Sequence, residues 1–329
     1  MQIVYIIGNG FDLNLGLKTT YQDFYKAYTP SQNNSAAIGT FKDAINADIV
    51  NWSDLELSLG CYTKNLSTVE ELDSIHESVV DGLANYLSQI QDEFINDKLK
   101  KIDKSKFIND LFHPELHLRG RDKSALNDLY RQNGSKLRNY TIINFNYTNT
   151  IELILGDDPK STYNSNLNHT KTKANIQYQL NSTLHIHGTV DADMVLGVNE
   201  LEQIDNEDLT SNTDVRDLLV KSYCNLAMRH GLEETCKFHL DRANVICIFG
   251  SSIGATDQYW WDLIARRLRT GACSLIIFEY VPSFSYRRSN LQERTRKKTL
   301  SKFLNDADIE KFSSRIHFSF NSDMFNLLK

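Results

Sequence analysis

The sequence contains few of the features that mark secreted, membrane-bound or disulfide-stabilised proteins. Its 5 cysteines are odd in number and form no C-x-x-C pair, so they indicate reduced thiols rather than a disulfide framework. The opening apolar run of about seven residues is too short for a signal peptide, and no later run reaches the roughly 18 apolar residues of a membrane helix. We therefore expect a cytoplasmic protein that does not contact a membrane.

An excess of basic charge is also missing. The 329 residues include 36 Lys and Arg against 42 Asp and Glu, a formal net charge of −6. Proteins dedicated to nucleic acid usually carry a basic surplus, so this balance argues against that class. With 41% apolar residues, a chain of this length buries a large core without a disulfide or a metal, and its composition excludes global disorder.

Six short apolar runs predict the strands of an α/β fold. Most of them are continuous rather than alternating, as in a mainly parallel sheet with helices on both faces. Between the first and second runs, residues 20–138 predict a large helical insertion within a single domain that spans residues 1–329. Polar residues 157–174 predict a surface loop. The predicted strands are residues 3–7, 141–146, 183–187, 244–249, 273–279 and 315–320.

The first predicted strand leads into a turn that contains two glycines. Gly8, Asn9 and Gly10 follow the strand, and Phe11 and Asp12 precede a predicted helix. Glycines let the backbone approach a phosphate, so we expect the amides of Gly8 and Gly10 to hold one. The spacing does not match the Gly-x-Gly-x-x-Gly dehydrogenase fingerprint, and a tight strand-to-helix turn is the alternative interpretation.

Polar side chains end two further predicted strands. Asn146 lies at the carboxyl end of its strand, where α/β sheets place ligands, and it either binds a ribose or a water or simply forms a turn. His185 and His187 share one face of a strand, but no third residue stands at a spacing that predicts a metal site. We expect His187 to be a general base, because imidazole titrates near neutral pH, and His185 to be a core residue.

A second turn of small residues follows the strand predicted at residues 244–249. Gly250 and Ser251 offer a backbone amide and a hydroxyl to a nucleotide, and Asp257 offers a carboxylate to a ribose hydroxyl. Asp12 is an alternative partner for the ribose hydroxyls. The plainer interpretation is that Thr256 or Asp257 caps the next helix, and both interpretations can hold together.

Two weaker patterns have ordinary structural explanations. Ser53 and Glu56 form the Ser-x-x-Glu pattern of a capping box at the start of a helix. The basic residues within 287–298 predict a solvated helix face, with nucleic-acid contact as the alternative. The sequence has no Gly-x-Ser-x-Gly elbow, no Walker lysine and no His-Glu-x-x-His.

Taken together and in this order, the motifs resemble the bacteriophage abortive-infection family AbiH. The resemblance covers residues 3 to about 262 and implies a role in bacterial defence, in which an infected cell stops growing or dies before phage spreads. The motifs are Gly8-Asn9-Gly10-Phe11-Asp12 with Gly16, Leu17, Thr19, Tyr21, Asp23 and Phe24; Trp52-x-Asp54-Leu55-Glu56; Phe145-Asn146-Tyr147-Thr148; Ile186-His187-Gly188; and Phe249-Gly250-Ser251-Ser252-x-Gly254-x-Thr256-Asp257.

The same motif order is similar, more distantly, to the sirtuin-like domains of defence proteins, which bind NAD. This similarity implies a Rossmann-like (sirtuin-like) fold in which Asn146 lies at the nicotinamide ribose and His187 is the base. The sequence carries Asp12 where sirtuins usually have Ser, Thr148 where the defence domains often have Asp, and no four-cysteine zinc module. These departures argue against protein deacetylation more than against NAD cleavage. The expected nucleotide-binding residues are Gly8, Asn9, Gly10, Phe11, Asp12, Thr19, Gly250, Ser251 and Asp257.

The sequence and its resemblances favour a defence effector that binds NAD and hydrolyses its nicotinamide N-glycosidic bond. We expect no metal and no cofactor other than NAD itself, as substrate or ligand. A module that senses NAD or ADP-ribose without chemistry is the second interpretation, and an effector that acts on nucleic acid is the third. A homo-oligomer and a phage-derived trigger or partner protein are compatible with such a role.

Overall fold

The structure is a computed structural model that describes residues 1–32, 35–156, 169–173, 176–229, 231–282, 287 and 289–328. Its strands are β1 Gln2–Ile7, β2 Leu137–Asn144, β3 His169–Lys173, β4 Ile176–His185, β5 Val245–Phe249, β6 Ser274–Glu279 and β7 Ile316–Phe320. Its helices are α1 Gly10–Asn14, α2 Tyr21–Tyr28, α3 Ala36–Ala47, α4 Leu55–Tyr62, α5 Val69–Glu93, α6 Lys104–Phe112, α7 Gly120–Asn133, α8 Thr150–Leu155, α9 Glu207–Thr210, α10 Thr213–Leu219, α11 Lys221–Met228, α12 Leu232–Arg242, α13 Gln258–Thr270, α14 Ser289–Leu300 and α15 Asp306–Phe312.

One sheet connects these strands in the order β3-β4-β2-β1-β5-β6-β7. Six of the strands are parallel to their neighbours, and β3 pairs antiparallel with β4 at one edge. Parallel neighbours need crossover connections, which here are helical and cover the sheet. The predicted α/β class, with a mainly parallel sheet between helices, is confirmed.

Strand β1 shows why the predicted strands are continuous apolar runs. Ile3, Tyr5 and Ile7 pack on one face of the sheet in the same core as α6 and α7. Val4 and Ile6 pack on the other face with α12 and α13. All five side chains are fully buried. Because both faces of this strand are covered, its sequence lacks the alternation of apolar and polar residues that marks a half-exposed strand.

The strand bounds differ from the prediction where polar residues continue the sheet. β2 and β4 begin before their predicted starts, and β4 is buried only at alternate positions in its first half, so it lacks the continuous signal. Residues 169–173, predicted as loop, form β3 instead, while residues 157–168 and 174 of that loop lie outside the described residues. β4 ends at His185, so His187 follows the strand rather than lying within it.

The segment between β1 and β2 is helical, as predicted. It contains α2 to α7, and α5 is the longest of these helices, with 25 residues. Leu72, Val79 and Leu83 of α5 pack with α2, α3 and α4, whereas Ile90 near its end packs in the sheet-facing core. α5 therefore joins these helices to the sheet, and their description as an insertion within a single domain stays a prediction.

Other features agree with the composition. The five cysteines are free thiols. Within the described residues, no helix combines the length and the apolar character that crossing a membrane requires. Arg294, Lys297 and Lys298 on α14 are exposed to solvent, as predicted for this basic run.

The loops that follow β1 and β5 touch each other at the carboxyl edge of the sheet. The amide of Gly8 donates to the Phe249 carbonyl oxygen at 3.0 Å, and the amide of Gly10 donates to the Gly250 carbonyl oxygen at 2.7 Å. A Cβ atom on Gly10 would lie 2.5 Å from Gly250 Cα. Gly250 itself has φ +69°, which favours glycine. The glycines are therefore required for this close approach.

We predict that Gly10→Ala lowers the free energy of unfolding by about 1–3 kcal/mol, because the added methyl group meets backbone atoms that cannot move aside. Urea denaturation of the purified variant measures this loss. Gly254→Ala is the matched control, since its Cβ would meet nothing closer than Ser252 Oγ at 3.4 Å. Equal stability of the two variants would contradict the tight contact.

Candidate functional site

A cavity of about 1080 Å³ opens at the carboxyl edge of the parallel strands. Its walls come from the residues that follow β1, β2, β4, β5, β6 and β7, with contributions from α4, α5 and α11. This is the edge where α/β sheets place ligands, and the volume is that of a large ligand pocket. The sequence-predicted residues that line it are Gly8, Asn9, Gly10, Asp12, Thr19, Asn146, His187, Gly250, Ser251 and Asp257.

Phe11 is the one predicted site residue that does not line the cavity. Its ring is fully buried and lies edge-on to the rings of Phe107, Phe249 and Phe325. Its amide donates to the Gly8 carbonyl oxygen at 2.9 Å. Phe11 therefore anchors the glycine turn to the hydrophobic core.

The glycine turn does not offer the predicted pair of phosphate-binding amides. The amides of Gly8 and Gly10 already donate to the last residue of β5 and to the first residue after it, and the helix α1 that follows has only five residues. Beside the turn, the Asn9 amide group donates to the Thr19 carbonyl oxygen at 2.9 Å, and the Thr19 hydroxyl donates to Asn9 Oδ1 at 2.5 Å. These bonds hold the chain between α1 and α2 as a fixed rim of the cavity.

Asp12 is a fully buried carboxyl group whose two oxygens are both engaged. Thr148 donates to Oδ2 at 2.5 Å and Thr150 donates to Oδ1 at 2.7 Å. Burial raises the pKa of Asp12 to about 6, although both hydroxyls oppose that rise. The group ties the loop after β1 to the loop after β2, so it is a structural group rather than the ribose ligand that we considered.

His185 is buried beneath the cavity floor, as predicted for a core residue. Its Nδ1 lies 3.0 Å from the Asn146 carbonyl oxygen, and its Nε2 lies 3.0 Å from Glu152 Oε1. Both partners are acceptors, so this arrangement favours the doubly protonated ring, in which both nitrogens donate. Burial lowers the pKa of His185, but Glu152 and the two hydrogen bonds more than offset this, and the pKa is raised.

Asn146 is held in place through its backbone, while its side-chain Nδ2 atom has no hydrogen-bond partner among the described residues. Its carbonyl oxygen accepts from His185, and its amide donates to Asn144 Oδ1 at 3.1 Å. Among the described residues, no acceptor lies within hydrogen-bonding distance of its buried Nδ2 atom. An unsatisfied buried donor costs about 1–3 kcal/mol, so a ligand or a water is expected to complete this group.

A chain of charged contacts forms one wall of the cavity. His187 Nε2 lies 3.0 Å from Asp257 Oδ1. Lys221 Nζ lies 2.8 Å from that same oxygen and 2.8 Å from Glu56 Oε2. Tyr147 adds a hydroxyl, which donates to the Val195 carbonyl oxygen at 2.8 Å and lies 3.3 Å from Glu56 Oε1.

The pKa directions in this wall follow from burial and from Lys221. Burial raises the pKa of Glu56 even though Lys221 opposes the rise. For Asp257 burial also favours the neutral form, but the Lys221 ammonium, together with the contact to His187, more than offsets this effect and holds the Asp257 pKa well below the usual range. Burial lowers the pKa of Lys221, but the carboxylates of Asp257 and Glu56 raise it by a larger amount. The net pKa is therefore raised, and the ammonium stays charged.

Sequence reasoning missed Glu56 and Lys221. The capping box predicted at Ser53 is wrong, because Asp54 is the N-cap of α4 and accepts the Leu57 amide at 3.1 Å. Glu56 is therefore not needed for capping, and its side chain contacts Lys221 instead. The only feature of the sequence that pointed to Glu56 was its place in the Trp52–Glu56 motif. Lys221 is a single lysine at the start of a short helix, and no local pattern distinguishes it from a solvated residue.

We predict that Asp12→Asn gains stability relative to the native protein as the pH rises. The folded protein keeps the Asp12 proton up to about pH 6, whereas the unfolded chain releases it near 3.8, so ionisation costs folding free energy across that interval. The difference in unfolding free energy between variant and native protein should therefore be about 2 kcal/mol more favourable at pH 8 than at pH 4.

Urea denaturation of both proteins at the two pH values measures this difference. Asp23→Asn is the control of opposite sign, because hydrogen bonding from Thr20 lowers the pKa of Asp23. Its variant should lose stability relative to the native protein as the pH rises. A gap between Asp12→Asn and the native protein that does not change with pH would contradict the raised pKa.

Comparison with known proteins agrees with the motif order. Residues 4–279 match the family model described as bacteriophage abortive infection AbiH. None of the curated proteins matches the chain. The family description indicates a role in defence against bacteriophage by abortive infection. Because the match covers most of the sequence, the protein belongs to the AbiH family.

Proposed function

We propose that this AbiH-family protein is an abortive-infection effector that binds NAD in the cavity and hydrolyses its nicotinamide N-glycosidic bond. The observation that carries the proposal is the meeting, in one cavity, of the unpartnered Asn146 Nδ2 atom and the His187–Asp257 pair. The first is a donor suited to a ribose hydroxyl or a water, and the second is the arrangement of a general base with its orienting carboxylate.

The strand order supports a dinucleotide as ligand. Numbered along the chain, the six parallel strands cross the sheet in the order 3-2-1-4-5-6, with β1 as strand 1 and β5 as strand 4. This is the order of doubly wound dinucleotide-binding sheets, in which the ligand lies where the connections from strands 1 and 4 leave in opposite directions. Gly8 to Gly10 and Gly250 to Ser251 lie at that crevice.

The charges of the lining residues favour one orientation of NAD. Glu56 and Asp257 make the His187 wall acidic, which suits the positively charged nicotinamide ring. Lys221 is already paired with both carboxylates, so the phosphates depend on neutral donors. Ser251 is one such donor, because its oxygen accepts the Ile253 amide at 3.1 Å and its hydroxyl proton stays free to donate.

The reaction requires water to replace nicotinamide at C1′ of the ribose. The C1′–N bond breaks with its electron pair on nicotinamide, and the ribose passes through an oxocarbenium-like state. Asn146 Nδ2 orients the ribose or the attacking water. Asp257 Oδ1 lies 3.0 Å from His187 Nε2, outside hydrogen-bonding geometry but close enough to favour a proton on that nitrogen. The Nδ1 lone pair, which has no partner among the described residues, then takes the proton from water. The products are nicotinamide, ADP-ribose and one proton.

We predict that the purified protein converts NAD to nicotinamide and ADP-ribose, and that Asn146→Ala and His187→Ala each lower the rate by at least about 100-fold. Chromatography of timed incubations measures both products. Asn133→Ala and His239→Ala are matched controls, because both residues lie outside the cavity, and they should keep the native rate. All variants are first compared by thermal melting.

Two outcomes would overturn the hydrolase proposal in different ways. Saturable binding of NAD or ADP-ribose without any product would favour a sensing module. If the protein gives no product and does not bind NAD or ADP-ribose, the nucleotide is rejected as the ligand. A folded His187→Ala variant with the native rate would remove His187 from the role of base.

A further inference from the structure

Lys221 is buried in the cavity wall between two carboxylates. Its side chain is 8% exposed, and its ammonium contacts Glu56 Oε2 and Asp257 Oδ1, both at 2.8 Å. Burial of a lysine ammonium is costly unless acceptor groups replace the lost water, and these two carboxylates do so. The lysine comes from α11, the glutamate from α4 and the aspartate from the turn that precedes α13, so the contact also joins three separate elements.

Lys221 and His187 approach the same oxygen atom. Asp257 Oδ1 lies 2.8 Å from Lys221 Nζ and 3.0 Å from His187 Nε2. A carboxylate that faces a histidine alone favours the doubly protonated ring, which cannot accept a further proton. A second cation on that carboxylate weakens this preference. Glu56, on the far side of Lys221, acts in the opposite direction.

We propose that Lys221 is a positioning residue that keeps His187 able to accept a proton, by supplying the positive charge that Asp257 would otherwise draw from the imidazole ring. Asp257 then lies beside His187 Nε2, at 3.0 Å, without holding the ring as an imidazolium. The inference deepens the proposed function, in which His187 is the base, but the charge of His187 is measurable without any substrate.

Two aromatic rings that contact His187 in the described part of the chain do not change this balance. Phe145 lies edge-on to the imidazole ring, with ring centroids 5.2 Å apart, and carries no charge. Tyr147 is the other aromatic neighbour, and burial followed by the Glu56 charge raises its pKa well above 10, so it stays neutral. Behind Glu56 lie Tyr21, whose pKa burial also raises, and Asp54, whose carboxylate caps α4.

The test is a pH titration of His187 by long-range proton–nitrogen NMR of the imidazole rings, with the signals assigned by their loss in His187→Gln. Lys221→Met should raise the pH at which half of the His187 rings are doubly protonated, by about one unit or more. Glu56→Gln should lower that pH, because it removes a negative charge while keeping the shape. A purely structural role for Lys221 does not produce shifts of opposite sign.

Two further variants make the test specific. Lys221→Arg keeps the positive charge and should return the midpoint of the His187 titration, the pH at which half of the rings are doubly protonated, toward the native value. Lys42→Met is the matched control, since Lys42 is also buried but donates to the Ser31 carbonyl and hydroxyl oxygens, away from the cavity. Its loss should leave the His187 midpoint unchanged.

Midpoints that do not move, or that move in the same direction in Lys221→Met and Glu56→Gln, would overturn the inference. If Lys221→Met fails to fold, Glu56→Gln alone decides, because an unchanged or raised midpoint contradicts the proposed balance. Opposite shifts together with no NAD turnover would support the role of Lys221 and count only against the hydrolase proposal. Opposite shifts with turnover should displace the pH profile of the rate in the same two directions.

Discussion

The contact between the loops after β1 and β5 is the constraint on which the cavity depends. Gly10 and Gly250 approach so closely that a methyl group on either would overlap backbone atoms. Two backbone hydrogen bonds use the amides of Gly8 and Gly10 to hold the loops together. The glycines thus form a rigid edge between the two halves of the sheet, and the surrounding side chains supply the polar groups of the cavity.

Two buried polar networks position those side chains. On the floor, the Asp12 carboxyl group and the His185 ring fix the loop after β2, and the Asn146 Nδ2 atom has no hydrogen-bond partner among the described residues. In the wall, Lys221 joins Glu56 to Asp257 and so determines the electrostatic surroundings of His187. The charged groups of both networks are paired, because an unpaired buried charge is costly. Like Asn146 Nδ2, the two ring nitrogens of His187 have no hydrogen-bond partner in the part of the chain that the structure describes.

The sequence predicted the parts of the structure that depend on local patterns. Burial on two faces produces the continuous apolar runs of the strands. Loops at the carboxyl ends of parallel strands account for the glycine turns and for polar residues such as Asn146 and His187. Strand β3 was missed because its residues carry no apolar pattern and gain their structure only from pairing with β4. Lys221 was missed because its role arises from long-range contacts with Glu56 and Asp257, which no spacing along the chain encodes.

The most direct test of the account is a crystal structure of the protein grown with a saturating concentration of ADP-ribose. The account predicts density for the ligand between the loops after β1 and β5, with a ribose hydroxyl or a bridging water within hydrogen-bonding distance of Asn146 Nδ2 and the same ribose next to His187. Density at another surface, or an empty cavity at a concentration that saturates binding in solution, would contradict the assignment of this cavity as a dinucleotide site.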